Sequence, residues 1–366
     1  MVIDWSDGNK SSLYSLWLRD HCQMPESRNL DNGQRLFSVK DLPSNITIEK
    51  AYKDAEGNVC VMFQPENHLS VFCQKWLREN CYELNSHFED RSEKSKKLWK
   101  KDSFDNGLPF ISYDLMHSDD TSKVLALRSL REYGFFVLND VPTQDGQVLK
   151  VISELGFTRE TNYGALFEVR TEVNPNNLAF TNLGLGSHTD NPYRDPVPTV
   201  QLLHCLESST EGGESILVDG FKAASILREE SQENFLSLAN TWINYRFSDS
   251  KTELRSRVPM IDLNDKKEVI KVRYNNRSID TINVPQDKMR SFYKAYRHWS
   301  EIIERDELKI QFKLSEGDLM LFDNTRVMHA RTEFSKSGKR HLQGAYSDLD
   351  GLYSLLNRLE MKNNND

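Results

Sequence analysis

The chain reads as mainly β with flanking helices (α+β): an antiparallel barrel or jelly roll preceded by a small β-rich module. Three observations carry this expectation. Short apolar runs bounded by turn residues recur through the last two-thirds of the chain. Helical stretches are segregated from them, where a parallel βαβ sheet would need strict alternation. A charged stretch after residue 83 separates two differently patterned regions.

Residues 1–83 are the expected β-rich module. Val2-Ile-Asp-Trp5 and the stretch after Asp7-Gly8 suggest a hairpin. A second is predicted from Ile46–Tyr52 and Val59–Phe63, alternating runs that flank Glu56-Gly57-Asn58. Phe72–Asn80 suits a short helix. Residues 84–107, with Glu89-Asp-Arg-Ser-Glu-Lys-Ser-Lys-Lys97, read as a charged linker anchored by Trp99. Residues 108–366 are patterned as one domain. Thr121–Tyr133 is helical, with Val124, Leu125, Leu127 and Leu130 on its apolar face, and Gly134 ends it. Phe135–Leu138 is a strand and Gln147–Leu155 a helix, with further helices at Phe221–Glu230 and Asp287–Arg305. Strands are expected near 199–206, 215–218, 241–247, 268–274, 309–314 and 318–323.

Bulk properties restrict the function. With 38% hydrophobic and 28% charged residues the chain is an ordinary globular protein. Its net charge of −8, with no basic stripe, argues against nucleic-acid binding. Five scattered cysteines suit a reducing compartment better than a disulfide framework. No signal-like start and no apolar run of about 18 residues is present, so a soluble cytoplasmic protein without a membrane partner is expected. Whether it forms a homodimer is left open.

The chemistry centres on His188-Thr189-Asp190 and a distant His329. Two imidazoles and one carboxylate form an open facial triad for Fe(II), leaving positions for oxygen and a chelating co-substrate. Spacing alone misleads, because His117-Ser118-Asp119 has it too; there Asp119 or Asp120 reads as a helix cap. Arg340 follows His329 by eleven residues and suits bidentate pairing with a dicarboxylate, with Arg331 in reserve.

His188-Thr-Asp190, His329 and Arg340 together resemble the motif of Fe(II)/2-oxoglutarate dioxygenases of the taurine dioxygenase superfamily. Trp17-Leu-Arg-Asp20, Gln201-Leu-Leu-His-Cys205, Val218-Asp-Gly-Phe221, Phe322-Asp-Asn-Thr-Arg326 and Gln343-Gly-Ala-Tyr346 resemble the γ-butyrobetaine dioxygenase family. That resemblance implies a double-stranded β-helix with the metal at its mouth. It also implies that His188, Asp190 and His329 hold iron, that Arg340 clamps 2-oxoglutarate, and that a trimethylammonium substrate is hydroxylated with O2. A trimethylammonium group has no hydrogen to donate, so aromatic faces must recognise it. The resemblance places such faces at Tyr163, Phe167, Phe180 and Tyr346, with Asn177 and Asn276 near the substrate's anion. His188-Thr-Asp-Asn-Pro-Tyr-Arg-Asp195 and Asn275-Asn-Arg-Ser278 resemble the branch acting on 2-(trimethylammonio)ethylphosphonate. Arg277 would serve a doubly charged phosphonate, so the expectation leans to that substrate. γ-Butyrobetaine, giving carnitine, is the alternative, and a non-catalytic 2-oxoglutarate-binding protein a distant one.

Family members often carry a structural zinc in the N-terminal module. The matching positions here are Cys22, Met24, Ser27 and His68. Thioether and hydroxyl are poor replacements for thiolates, so no zinc is expected.

Overall fold

The structure, a computed structural model, describes residues 1–84, 95–170, 184–335 and 338–363. It divides into two compact units, Met1–Lys94 and Ser95–Asp366.

In the first unit, β1 (Val2–Asp4) pairs antiparallel with β2 (Lys10–Ser12), the hairpin expected around Asp7-Gly8. A second sheet runs in the order β3 (Thr47–Lys53), β4 (Val59–Gln64), β5 (His68–Phe72). Asp54 shapes the β3–β4 turn, its Oδ1 accepting from the amides of Glu56 and Asn58 at 3.0 and 2.8 Å. Strand β5 was not foreseen, because His68-Leu-Ser-Val-Phe72 shows only a brief alternation before the helix Gln74–Asn80. The inner residues Leu18, Val61, Phe63, Phe72 and Leu77 make a small core of their own.

The second unit has four layers. A six-stranded sheet runs β6 (Phe110–Ser112), β7 (Phe135–Asn139), β17 (Leu319–Asp323), β10 (Val200–Ser208), β19 (Arg340–Ser347), β8 (Phe167–Arg170). A four-stranded sheet runs β16 (Ile310–Phe312), β11 (Ser215–Asp219), β18 (Val327–Arg331), β9 (Leu185–His188). All pairings in both sheets are antiparallel except β6 with β7. Phe135, Leu203, Leu217, Met320 and Phe322 fill the space between them. Helices Asp120–Tyr133, Gln147–Leu155 and Leu349–Asn363 pack with the larger sheet in one apolar cluster; Gly220–Glu230, Gln232–Asn240 and Gln286–Ile303 form another with the smaller. Sandwiching explains why β17 is buried at all five positions and reads as a continuous apolar run. Two further hairpins, β12 (Ile243–Ser248) with β13 (Glu253–Val258) and β14 (Ile261–Leu263) with β15 (Val269–Val272), complete this unit.

Local signals account for most boundaries. Asp119 caps its helix, accepting from Ser122 N at 2.8 Å, so the decoy His-x-Asp is structural. Gly134 ends that helix at φ +85°, where a side chain would strike Val327. The expected linker 84–107 is shorter than read, since described residues from Ser95 belong to the second unit. Trp99 is 1% exposed, its amide donates to Asp219 Oδ2, and Lys97 O accepts from Arg326. Asp219 and Arg326 form a buried ion pair at 3.0 Å. Among the described residues no helix is long and apolar enough to cross a membrane.

Candidate active site

His188 ends β9 and stands directly across from His329 on β18, with ring centroids 4.2 Å apart. Asp190 lies two residues on, its Oδ1 3.4 Å from His188 Nε2. One donor atom from each of these three residues falls within 4.8 Å of the others. The backbone that carries them is held on both sides. Asn324 Oδ1 accepts from Asp190 N at 2.7 Å, and Asn324 Nδ2 donates to Asp190 O and Pro198 O. Tyr274 O accepts from Thr189 N at 2.7 Å. His188 Nδ1 is 2.9 Å from Gly186 O, which orients the ring, and Tyr346 donates to Asp190 Oδ2 at 2.9 Å. His329 Nδ1 is buried without a hydrogen-bond partner.

Electrostatics favour a cation here. Burial alone would raise the Asp190 carboxyl, but its interactions with His188, His329 and the Tyr346 hydroxyl outweigh it and hold it well below the usual range. Burial, then repulsion from His188, pushes His329 down to about 3, so its ring is neutral and able to ligate. Two imidazoles beside an ionised carboxylate, with one ring nitrogen left without a partner, suit Fe(II).

The triad opens into a cavity of about 420 Å³. Arg340, Arg331 and Arg277 all line it. Arg340, Leu342 and Tyr346 reach it from one strand because alternate residues of β19 share a face. Burial lowers all three guanidinium groups, and Arg331 comes down to about 10, helped by the charges of Arg340 and Arg277. Among the described residues Arg340 makes no ion pair, and its guanidinium lies 5.6 Å from the Phe334 ring.

Tyr163, Phe167 and Tyr346 line the same cavity. Phe167 stacks on Tyr346 at 5.0 Å and tilts toward Tyr163 at 6.4 Å. Two aromatics not foreseen as recognition residues join them. Phe247 contacts Tyr163 at 5.8 Å and stacks on Tyr193 at 5.1 Å. Tyr193 lies three residues beyond Asp190 on the motif's own loop, a signal present in the sequence; Phe247 comes from β12 and had none. Asn276 is a correction: it is exposed and does not line the cavity, whereas Asn275 is buried, lines it, and donates to Thr189 O at 3.3 Å. Arg194 does not line it either and donates to Asn162. Asn177 and Phe180 lie outside the described residues.

The four zinc-like positions of the first unit behave differently. Cys22 Sγ is 3.3 Å from His68 Nε2, while Ser27 Oγ accepts from Arg19 at 3.4 Å. Arg19 is paired in turn with Glu66 at 3.0 Å. One thiol and one imidazole, with a thioether and an engaged hydroxyl, do not make a zinc donor set.

Comparison with known proteins agrees with this geometry. Residues 105–346 match the taurine catabolism dioxygenase TauD, TfdA family, and residues 1–78 match the gamma-butyrobetaine hydroxylase-like N-terminal domain. A gamma-butyrobetaine dioxygenase of Pseudomonas sp. (strain AK-1) is 32% identical over 96% of this chain and 91% of its own. The human gamma-butyrobetaine dioxygenase is 30% identical over 99% and 95%. A trimethyllysine dioxygenase of Meyerozyma guilliermondii is 27% identical over 98% and 93%. Among solved structures, an asparagine oxygenase in complex with Fe(II), 3-hydroxyasparagine and succinate superposes with a TM-score of 0.50 at 16% identity, covering 64% of this chain and 82% of that one. It supports the fold.

Proposed function

The chain belongs to the taurine catabolism dioxygenase TauD, TfdA family and is a non-heme iron, 2-oxoglutarate-dependent dioxygenase; from that premise we propose that it hydroxylates a small molecule carrying a trimethylammonium group at one end and an anion at the other. The observation that carries this reading is one cavity lined by the triad, four arginines and a cluster of aromatic rings. His188, Asp190 and His329 would hold the iron, and Arg340 would pair with the distal carboxylate of 2-oxoglutarate. With iron bound, 2-oxoglutarate and O2 supply the oxidising power to hydroxylate an unactivated carbon, releasing succinate and CO2. The protein's own task is placement. Tyr163, Phe167 and Tyr346, with Tyr193 and Phe247 behind them, present ring faces to the ammonium head. Each such contact contributes roughly 0.5–2 kcal/mol once desolvated.

For the anionic end, the relatives matched over nearly the whole chain favour γ-butyrobetaine over the phosphonate expected from the sequence words. One observation keeps 2-(trimethylammonio)ethylphosphonate as a second reading: Arg277 lines the cavity, and a dianion gains more from an added guanidinium than a monoanion. Mass-spectrometric product detection tests the common reading, and neither compound being hydroxylated would overturn it. The ratio of kcat/KM values for the two compounds, in wild type and Arg277→Ala, decides between them. A wild-type preference for γ-butyrobetaine that Arg277→Ala leaves untouched selects the carboxylate. A phosphonate preference that shrinks in the variant selects the phosphonate.

A further inference from the structure

The aromatic ring with the shortest link to the metal-binding carboxylate is Tyr346. Its hydroxyl donates to Asp190 Oδ2 at 2.9 Å, while Asp190 Oδ1 is the oxygen facing His188 Nε2. The two carboxylate oxygens therefore have different partners. One is turned to the imidazole cluster and the other is held back by a phenol. The side chain that does this is buried, 3% exposed, and its ring also lines the substrate cavity.

The ring's place is set from behind. Phe167 stacks on it at 5.0 Å, an interplanar angle of 27°. Phe167 lies across Gly344, its register partner on β19, so closely that a Cβ there would meet the ring at 2.2 Å. Tyr346 and Gly344 share the inward face of β19. The missing side chain at Gly344 thus lets Phe167 lie flat, and Phe167 supports the ring whose hydroxyl reaches Asp190.

We propose that Tyr346 is a positioning residue for the metal centre: its hydroxyl fixes which oxygen and which orientation Asp190 offers the iron, while its ring forms part of the substrate wall. A hydrogen bond to a ligating carboxylate limits its rotation and leaves one oxygen for the metal. The ring's part in this rests on the substrate reading above; the hydroxyl's part does not.

Two variants separate these parts. Tyr346→Phe keeps the ring and removes only the hydroxyl. Anaerobic Fe(II) titration, without substrate and at saturating 2-oxoglutarate, should show iron affinity falling about ten-fold or more. The visible charge-transfer band should shift, while KM for the trimethylammonium substrate stays within about two-fold of wild type. Tyr346→Leu removes ring and hydroxyl together, so iron affinity should fall to the level of the Phe variant and KM should also rise. Wild-type iron affinity in Tyr346→Phe overturns the proposal, as does a loss of iron affinity confined to Tyr346→Leu. Because the titration contains no substrate, a wrong substrate assignment would show separately, as absent turnover by the wild-type enzyme.

Discussion

Among the described residues, the histidine clusters of the two units resolve in opposite ways. Around Cys22 and His68 the donors satisfy one another: thiol with imidazole, Ser27 with Arg19, Arg19 with Glu66. Around His188, Asp190 and His329 the donors converge, and one buried ring nitrogen has no partner. Burying an unpaired polar group costs about 1–3 kcal/mol, a cost that binding at that nitrogen would remove. Residue type alone separates the clusters poorly. Whether the donors are already engaged separates them well.

The largest effect should come from the converging cluster. Replacing His188, Asp190 or His329 by Ala should reduce succinate formation to background while circular dichroism and the melting profile stay close to wild type. Cys22→Ala or His68→Ala, tested beside them, should leave iron-dependent turnover intact. A His329→Ala enzyme of near wild-type activity would erase the distinction.

Next in size is the co-substrate clamp proposed at Arg340. Arg340→Ala removes a charge-assisted contact of roughly 1.5–3 kcal/mol, so KM for 2-oxoglutarate should rise about ten- to a hundred-fold. An unchanged value would transfer the role to Arg331.

Smaller again is the stability of the self-satisfied cluster. Glu66→Ala leaves the Arg19 guanidinium, 7% exposed, without its carboxylate. The first unit should lose about 1–3 kcal/mol, read by chemical denaturation. A chelator should not change that unit's unfolding, whereas a clear loss on chelation would mean a metal does sit there. The least effect is in pH. Burial, then the Arg19 charge, holds His68 below the ordinary histidine value. The unfolded chain then binds the proton first, so stability present above about pH 6.5 should decline as pH falls below it. His68→Gln should flatten that decline.

The site was more legible than the strands that carry it. His-x-Asp, the distant His and the following Arg are fixed by chemistry and could be read in the sequence. No strand was expected over Val327–Arg331 or Arg340–Ser347, yet these hold His329, Arg331, Arg340 and Tyr346. The reason is physical: their inward faces carry working polar groups, so the apolar alternation that marks a strand is missing. The Asn275–Asn276 reversal has a similar origin. Two adjacent amides in a loop are equivalent in sequence, and only the grip of Thr189 on Asn275 shows which one turns inward. Phe247 could not be foreseen, since a separate hairpin brings it in.

The gathering of Arg277, Arg331 and Arg340 around one cavity has a kinetic consequence. Like charges held together resist a further cation, and a trimethylammonium head is one. 2-Oxoglutarate, a dianion, entering first would offset part of that positive charge and ease the cation's entry. The arrangement therefore predicts a compulsory sequence of arrivals, with 2-oxoglutarate ahead of the organic cation. Initial-rate patterns at varied concentrations of both would reveal it. Adding salt should weaken the compulsion, because screening softens the field that enforces it.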